Sequence, residues 1–181
     1  GYSSSSSHKN KLYSDTFRGT GLTSFTFDNS NPEMTNVIPA RITSLAAGVF
    51  AYTQLTSVTF EASKTALSLT SGSAATSSPS TSTSYTYGVF EGCALLSSVD
   101  FGERNLKLPR GIFRDCVALE KIEIGKAVTA VDAYAFYGCA KLSEAVLPTD
   151  GALKTVGENV FTGMTQLSKV TFTGSGTALT S

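Results

Sequence analysis

ERNLKLPRGIFRDCVALEKIEIG, residues 103–125, runs without a break into KAVTAVDAYAFYGCAKLSEAVLP, residues 126–148. Set one above the other, the two lines of 23 residues place Phe113 over Phe136, Cys116 over Cys139 and Leu119 over Leu142. Ile122 and Ile124 fall over Ala145 and Leu147. Self-similarity at a fixed period of this length marks a repeat architecture, in which one unit cannot bury its apolar side chains alone and needs a stacked neighbour.

Working outward, the same spacing recurs in more damaged form. Coils of the repeat are read at 6–28, 39–61, 80–102, 103–125, 126–148 and 149–173. Between the first three lie two interruptions. NSNPEMTNVI (29–38) reads as a loop from its Asn, Ser and Pro. ASKTALSLTSGSAATSSP (62–79) is small and polar almost throughout, although Leu67 and Leu69 alternate with polar neighbours as a short strand would. Both loops leave their coils at one place, after Asp28 and after Glu61, so they should emerge on one flank, with 62–79 weakly ordered. The whole chain is read as one domain.

Within a coil, the apolar residues three and five positions after the repeat Leu fit the inward face of a short strand. Copies in register would pair as a parallel sheet, one strand per coil. Upstream, Asp132–Gly138 reads as a short helical turn with Phe136 plugging the interior, and Val128 with Val131 suggests a second extended piece. The expected fold is therefore α/β: a right-handed solenoid of about six coils, with parallel strands on a concave face and short helical turns and loops elsewhere.

Charged residues make up only 15%, below the roughly 25% of an ordinary soluble domain. Fourteen basic and fourteen acidic residues cancel, and no basic block is present, which argues against nucleic acid and anionic membrane as partners. No apolar run reaches the length of a transmembrane helix. Three Cys do not suggest a disulfide framework. Cys93, Cys116 and Cys139 lie one repeat apart, the spacing of equivalent core slots rather than of metal ligands. No metal or other cofactor is expected.

The string Ala135-Phe136-Tyr137-Gly138-Cys139-Ala140-Lys141-Leu142, with Val131 before it and Val146-Leu147-Pro148 after it, resembles the BspA-like, treponemal-type leucine-rich repeat. The likeness covers about 140 of the 181 residues. Coils one and two depart from it, with Gly19 and Tyr52 at the Cys position and one residue fewer between Phe and Leu. The resemblance implies a leucine-rich-repeat solenoid on a secreted or cell-surface protein, commonly from bacteria of mucosal niches or protozoan parasites. It also implies adhesion or protein binding, with no catalytic residue to carry over.

Catalysis finds little support in the residues. His8, the only histidine, lies in a Ser-rich stretch, and no phosphate-cradling Gly-rich loop or metalloprotease helix occurs. The chain is read as a binding module for a protein or glycan ligand, with a structural spacer as the alternative, monomeric as a fragment and not inserted in a membrane. Tyr13, Tyr52, Tyr85, Tyr87, Tyr134 and Tyr137 could stack on sugars but fit rim packing better. Down the outward strand slots, Lys121, Glu144 and Lys169 alternate in sign, a ladder that holds register. Asp100 and Glu123 fall in one slot on neighbouring strands, where like charges directly opposite destabilise a sheet. Asp100, Lys121, Glu123 and Glu144 are therefore the candidate contact surface.

Overall fold

The computed structural model describes residues 11–27, 34–70 and 86–174. Its strands are β1 (Lys11–Leu12), β2 (Val37–Ile38), β3 (Ser44–Leu45), β4 (Ser57–Phe60), β5 (Ser63–Leu69) and β6 (Ser98–Asp100). They continue as β7 (Arg104–Leu108), β8 (Lys121–Glu123), β9 (Val128–Val131), β10 (Glu144–Pro148), β11 (Thr155–Val156) and β12 (Lys169–Thr173). The odd-numbered strands form one six-stranded parallel sheet in chain order. The even-numbered strands form two parallel sheets of three, β2-β4-β6 and β8-β10-β12. The core lies between, because the alternation of each strand turns Val58 and Phe60, or Ala145 and Leu147, inward.

The plug phenylalanines form the axis of this core. Phe17, Phe50, Phe90, Phe113, Phe136 and Phe161 stack in sequence with centroids 5.4–6.3 Å apart and rings within 16° of parallel. Phe50, Phe90, Phe113 and Phe136 are fully buried. Such contacts add about 0.5–1.5 kcal/mol per pair beyond area burial.

No α-helix occurs among the described residues, which corrects the expected helical turns. The reason lies in how the amides are shared. Phe113 and Asp115 donate their N–H groups to Ala135 and Tyr137 of the next repeat, at 2.9 and 2.8 Å. Arg114 and Cys116 donate within their own turn, to Gly111 and Phe113, at 3.1 and 3.2 Å. Every second amide thus links neighbours. A helical turn would direct all of them inward and lose that ladder. Gly111 (φ 69°) and Asp115 (φ 58°) make the turn possible in the left-handed region. Gly88 serves differently: a Cβ there would meet the Gly111 carbonyl.

Both interruptions need redrawing. Val37–Ile38 lies inside the stretch read as a loop, yet pairs with Thr59 and Phe60 of β4. It takes the strand position assigned to Phe25 and Phe27. Those two rings pack at the end of the core instead, where Thr26 makes an antiparallel bridge to Thr35. Likewise Ser63–Leu69 forms β5 and pairs with both β3 and β7. The short strand suggested by Leu67 and Leu69 is present, and weak order from residue 62 is not. The two excursions therefore leave at different places, one before a strand of the three-stranded sheet and one after a strand of the six-stranded sheet. Residues 28–33 and 71–85 lie outside the described residues, as does His8.

The Cys slot also acquires a chemical definition. Cys93, Cys116 and Cys139 are buried and free, and each donates its S–H to the carbonyl of the preceding repeat's Phe (Phe50, Phe90, Phe113) at 3.0–3.2 Å. Counted from Phe rather than from Leu, the first two repeats hold Thr20 and Thr53 there. Their hydroxyls donate to the carbonyls of Phe17 and Phe50 at 2.7 and 2.8 Å. In repeats two to five the slot holds a small side chain that donates to a buried carbonyl, and in the sixth Met164 fills it; counted this way, Gly19 and Tyr52 are not its occupants.

One buried cation stands out. Arg104 is fully buried at the start of β7, and its guanidinium donates to the carbonyls of Ile42 (2.5 Å), Glu61 (3.4 Å) and Pro39 (3.5 Å). It ties the fourth repeat back to the chain on either side of β4.

Candidate functional site

The four candidate residues divide into two groups. On β8, β10 and β12, Lys121, Glu144 and Lys169 stand in register. The Glu144 carboxylate lies 2.8 Å from Lys169 Nζ and 3.5 Å from Lys121 Nζ. The hydrogen bond from Lys169 and the charge of Lys121 hold its pKa below the ordinary glutamate value. This half of the surface is internally satisfied.

Asp100 and Glu123 belong to a different setting. A single continuous sheet would have placed them opposite each other, but strand pairing stops between β6 and β8. After Thr59 pairs with Asp100, the Asp100 carboxylate accepts the Gly102 N–H at 2.7 Å and the chain turns away at Gly102 (φ 49°). That turn, and the like charges it keeps out of a shared ladder, account for the interruption.

At the interruption lies a hollow of about 460 Å³. It is lined by Asp100, Glu103, Glu123 and Lys126 together with Val146 and Thr173. Neither Asp100 nor Glu123 takes part in an ion pair among the described residues. Lys126 is already engaged by Asp150 at 2.9 Å, which raises its pKa and lowers that of Asp150. Carboxylate therefore predominates around the hollow. Glu103 and Lys126 were not anticipated as lining residues. They sit at the corners where one strand ends and the next begins, and repeat spacing carries no signal for such positions.

The tyrosines are largely occupied by arginine. Arg18 lies over Tyr87, Arg110 over Tyr134 and Arg114 over Tyr137, at 4.5–5.0 Å from the ring centroids. Arg114 itself is buried, 4.0 Å from the equally buried Glu91, whose other oxygen accepts the Gly88 N–H at 2.8 Å. Tyr13 and Tyr52 are exposed, and Tyr85 lies outside the described residues. This is the rim packing expected from the repeat. Among the described residues no group of His, Cys, Asp and Glu is arranged to hold a metal ion. No helix there is long and apolar enough to cross a membrane.

Residues 21–72 and 73–181, which carry the two ranks of parallel strands and most of the Phe ladder, match one family, the BspA type leucine rich repeat region, in six copies. The chain belongs to the BspA-type leucine-rich repeat family. Among solved structures it is similar to a leucine rich cell surface protein from Faecalibacterium prausnitzii, at 23% identity and TM-score 0.58. That match covers 77% of this chain and 32% of the other, so the chain spans about a third of its length. A leucine-rich repeat protein from Bacteroides ovatus matches at 15% identity and TM-score 0.32, over 94% of this chain and 60% of the other. No curated relative matches the chain.

Proposed function

We propose that this BspA-type chain is a surface or secreted binding module, a single right-handed solenoid domain of six coils that meets a protein or glycan ligand, on a host cell or a neighbouring one. Asp100, Lys121, Glu123 and Glu144 form its contact surface, with Asp100 and Glu123 as the centre. The observation that carries this reading is the hollow at the sheet interruption, where these two carboxylates have no ion-pair partner among the described residues. A partner offering Lys, Arg or an amino sugar would complete it. The cell-surface description of the Faecalibacterium protein agrees with such a placement.

The test replaces Asp100 and Glu123 together by Ser. Melting temperature and binding are then measured against arrayed glycans and a fluorescent arginine-rich peptide. Higher stability with weaker binding supports the proposal, because charge repulsion kept for a partner is then removed. Saturable binding that the double variant leaves unchanged removes this face. A spacer role is favoured by the Lys121–Glu144–Lys169 ladder, which satisfies itself. A spacer predicts no saturable binding at all.

A further inference from the structure

A second hollow, of about 360 Å³, lies on the outer face of the six-stranded sheet. It runs from Ser63 and Lys64 of β5, past Asn105 of β7 and Thr129 of β9, to Ala152 ahead of β11. Asn105 stands between the buried Arg104 and Leu106, so the alternation of β7 turns it away from the core. Glu103, at the corner before β7, lines both this hollow and the one beside Asp100. The volume falls in the range of about 300–1,000 Å³ that holds small-molecule ligands.

Two slips of register shape it. Between the pairs Ser63–Arg104 and Leu67–Leu106, the residues Lys64, Thr65 and Ala66 face Asn105 alone. Between Leu106–Val128 and Leu108–Val131, Thr129 and Ala130 face Lys107 alone. Extra residues on one strand of a pair bend it and re-aim its side chains. Both neighbours of β7 carry such residues, so the surface around Asn105 is spread. On the far side Ala127 and Ala152 line the hollow, and each offers only a methyl group. Repeat spacing gave no sign of this place, because it depends on where the register slips.

The polar groups around the hollow are not spent on one another. Lys64 and Glu103 carry opposite charges, yet neither enters an ion pair among the described residues. Lys126, whose charge reaches Glu103, is held by Asp150 at 2.9 Å. The Asn105 amide is half-buried and has no hydrogen-bond partner among the described residues. The Ser63 hydroxyl accepts the Thr65 N–H at 3.1 Å and keeps its own proton to donate. The hollow therefore presents an ammonium and an amide as donors, a carboxylate as acceptor, and methyl groups between them. We propose that it binds a 2-acetamido sugar, an N-acetylhexosamine unit of a glycan. The acetyl methyl packs on Ala127 and Ala152, the acetamido carbonyl accepts from Asn105 and its N–H donates to Glu103. Ring hydroxyls then accept from Lys64 and Ser63. A plain hexose has no methyl for the alanines. A free amino sugar puts a cation beside Lys64, whereas its charge suits the carboxylates of the other hollow.

Apart from Glu103 this site shares nothing with the Asp100–Glu123 surface, so the two are tested separately. The 181-residue chain is titrated with N-acetylglucosamine and N-acetylgalactosamine, and with glucose and glucosamine as controls, by saturation-transfer NMR. At least one acetamido sugar is expected to bind saturably, with the strongest transfer to its acetyl methyl, and the controls about tenfold more weakly or not at all. Ala127→Leu fills the hollow and is expected to abolish binding. Asn105→Ala removes the amide and is expected to weaken binding about tenfold. Circular dichroism and thermal melts check that both variants are folded, and Asn105→Ala decides alone if Ala127→Leu is not. Asp100→Ser combined with Glu123→Ser is expected to leave the acetamido sugar bound as in wild type. Failure of both acetamido sugars to bind overturns the proposal. So does glucose binding as tightly, or binding that folded Asn105→Ala leaves unchanged. Loss of binding in the Asp100 and Glu123 double variant overturns it too, by assigning the sugar to the other hollow.

Discussion

Replacing Arg104 tests the internal account of the fold most sharply. Its guanidinium is fully buried, and its burial lowers its pKa despite the charge of Glu61. Of its three carbonyl contacts only that to Ile42 is short, and those to Glu61 and Pro39 sit at the outer limit of hydrogen bonding. Nε has no partner. Arg104→Met fills much of the same volume but leaves the Ile42 carbonyl without this donor, at a cost of about 1–3 kcal/mol. Relief from burying a charge offsets part of that, since apolar replacement of buried ionic groups is often neutral or better. The expected net loss is about 1–2 kcal/mol for Arg104→Met. It is about 3–5 kcal/mol for Arg104→Ala, which adds a cavity. Against a total stability of roughly 5–15 kcal/mol, both are measurable by urea denaturation. Hydrogen exchange should localise the change to residues 39–42 and 61, the segments the guanidinium holds. A methionine variant as stable as wild type, with unchanged exchange in those segments, would refute the view that Arg104 ties the fourth repeat to the second.

Burial pushes the Cys139 thiol up to about 12 and raises Cys93 and Cys116 above the ordinary 9.0. Between those limits the folded chain keeps protons that the unfolded chain releases, so stability falls as pH rises above 9.0, by up to about 1.4 kcal/mol per pH unit for each thiol. Urea midpoints measured on either side of that pH check this, and a flat profile contradicts it. Gly88→Ala should destabilise by about 1–3 kcal/mol or more, because its Cβ would fall on the backbone of the next repeat. Gly21→Ala has open space and should be neutral or stabilising by up to about 1 kcal/mol. Thermal melts of the two variants that failed to separate would show that the repeats are not packed this closely.

The strongly periodic half of the molecule was readable in advance because each repeat faces the same constraint. Phe113, Cys116, Leu119, Ile122 and Ile124 occupy core slots that any misplaced polar residue would disrupt, so spacing alone locates them. Where the period slips, counting from the wrong landmark misleads. In the first two repeats Leu is one residue closer to Phe, and the hydrogen bonds show Thr20 and Thr53 in the Cys position, donating to the Phe of their own repeat where Cys reaches that of the preceding one. β5 was legible only as a short strand at Leu67 and Leu69, because its exposed residues are Lys64, Thr65, Ala66 and Ser68, and a strand with one solvated face reads largely as polar linker. Arg104 was invisible for a different reason. Nothing in RNLKL says that its first residue points inward to three carbonyls contributed by residues some 40–65 positions earlier. Of the candidate surface, the Lys121–Glu144–Lys169 ladder followed from register. The hollow beside Asp100 did not, because it depends on where a sheet stops.

That stopping point gives the molecule an uneven stiffness. The six-stranded sheet crosses the middle of the chain without interruption, whereas the opposite face is slit between β6 and β8. Repeats three and four stay joined by the continuous sheet and by the turn amides of Phe90 and Gly92, which donate to Ile112 and Arg114, so the slit between Asp100 and Glu123 can change width without rupturing any strand pairing.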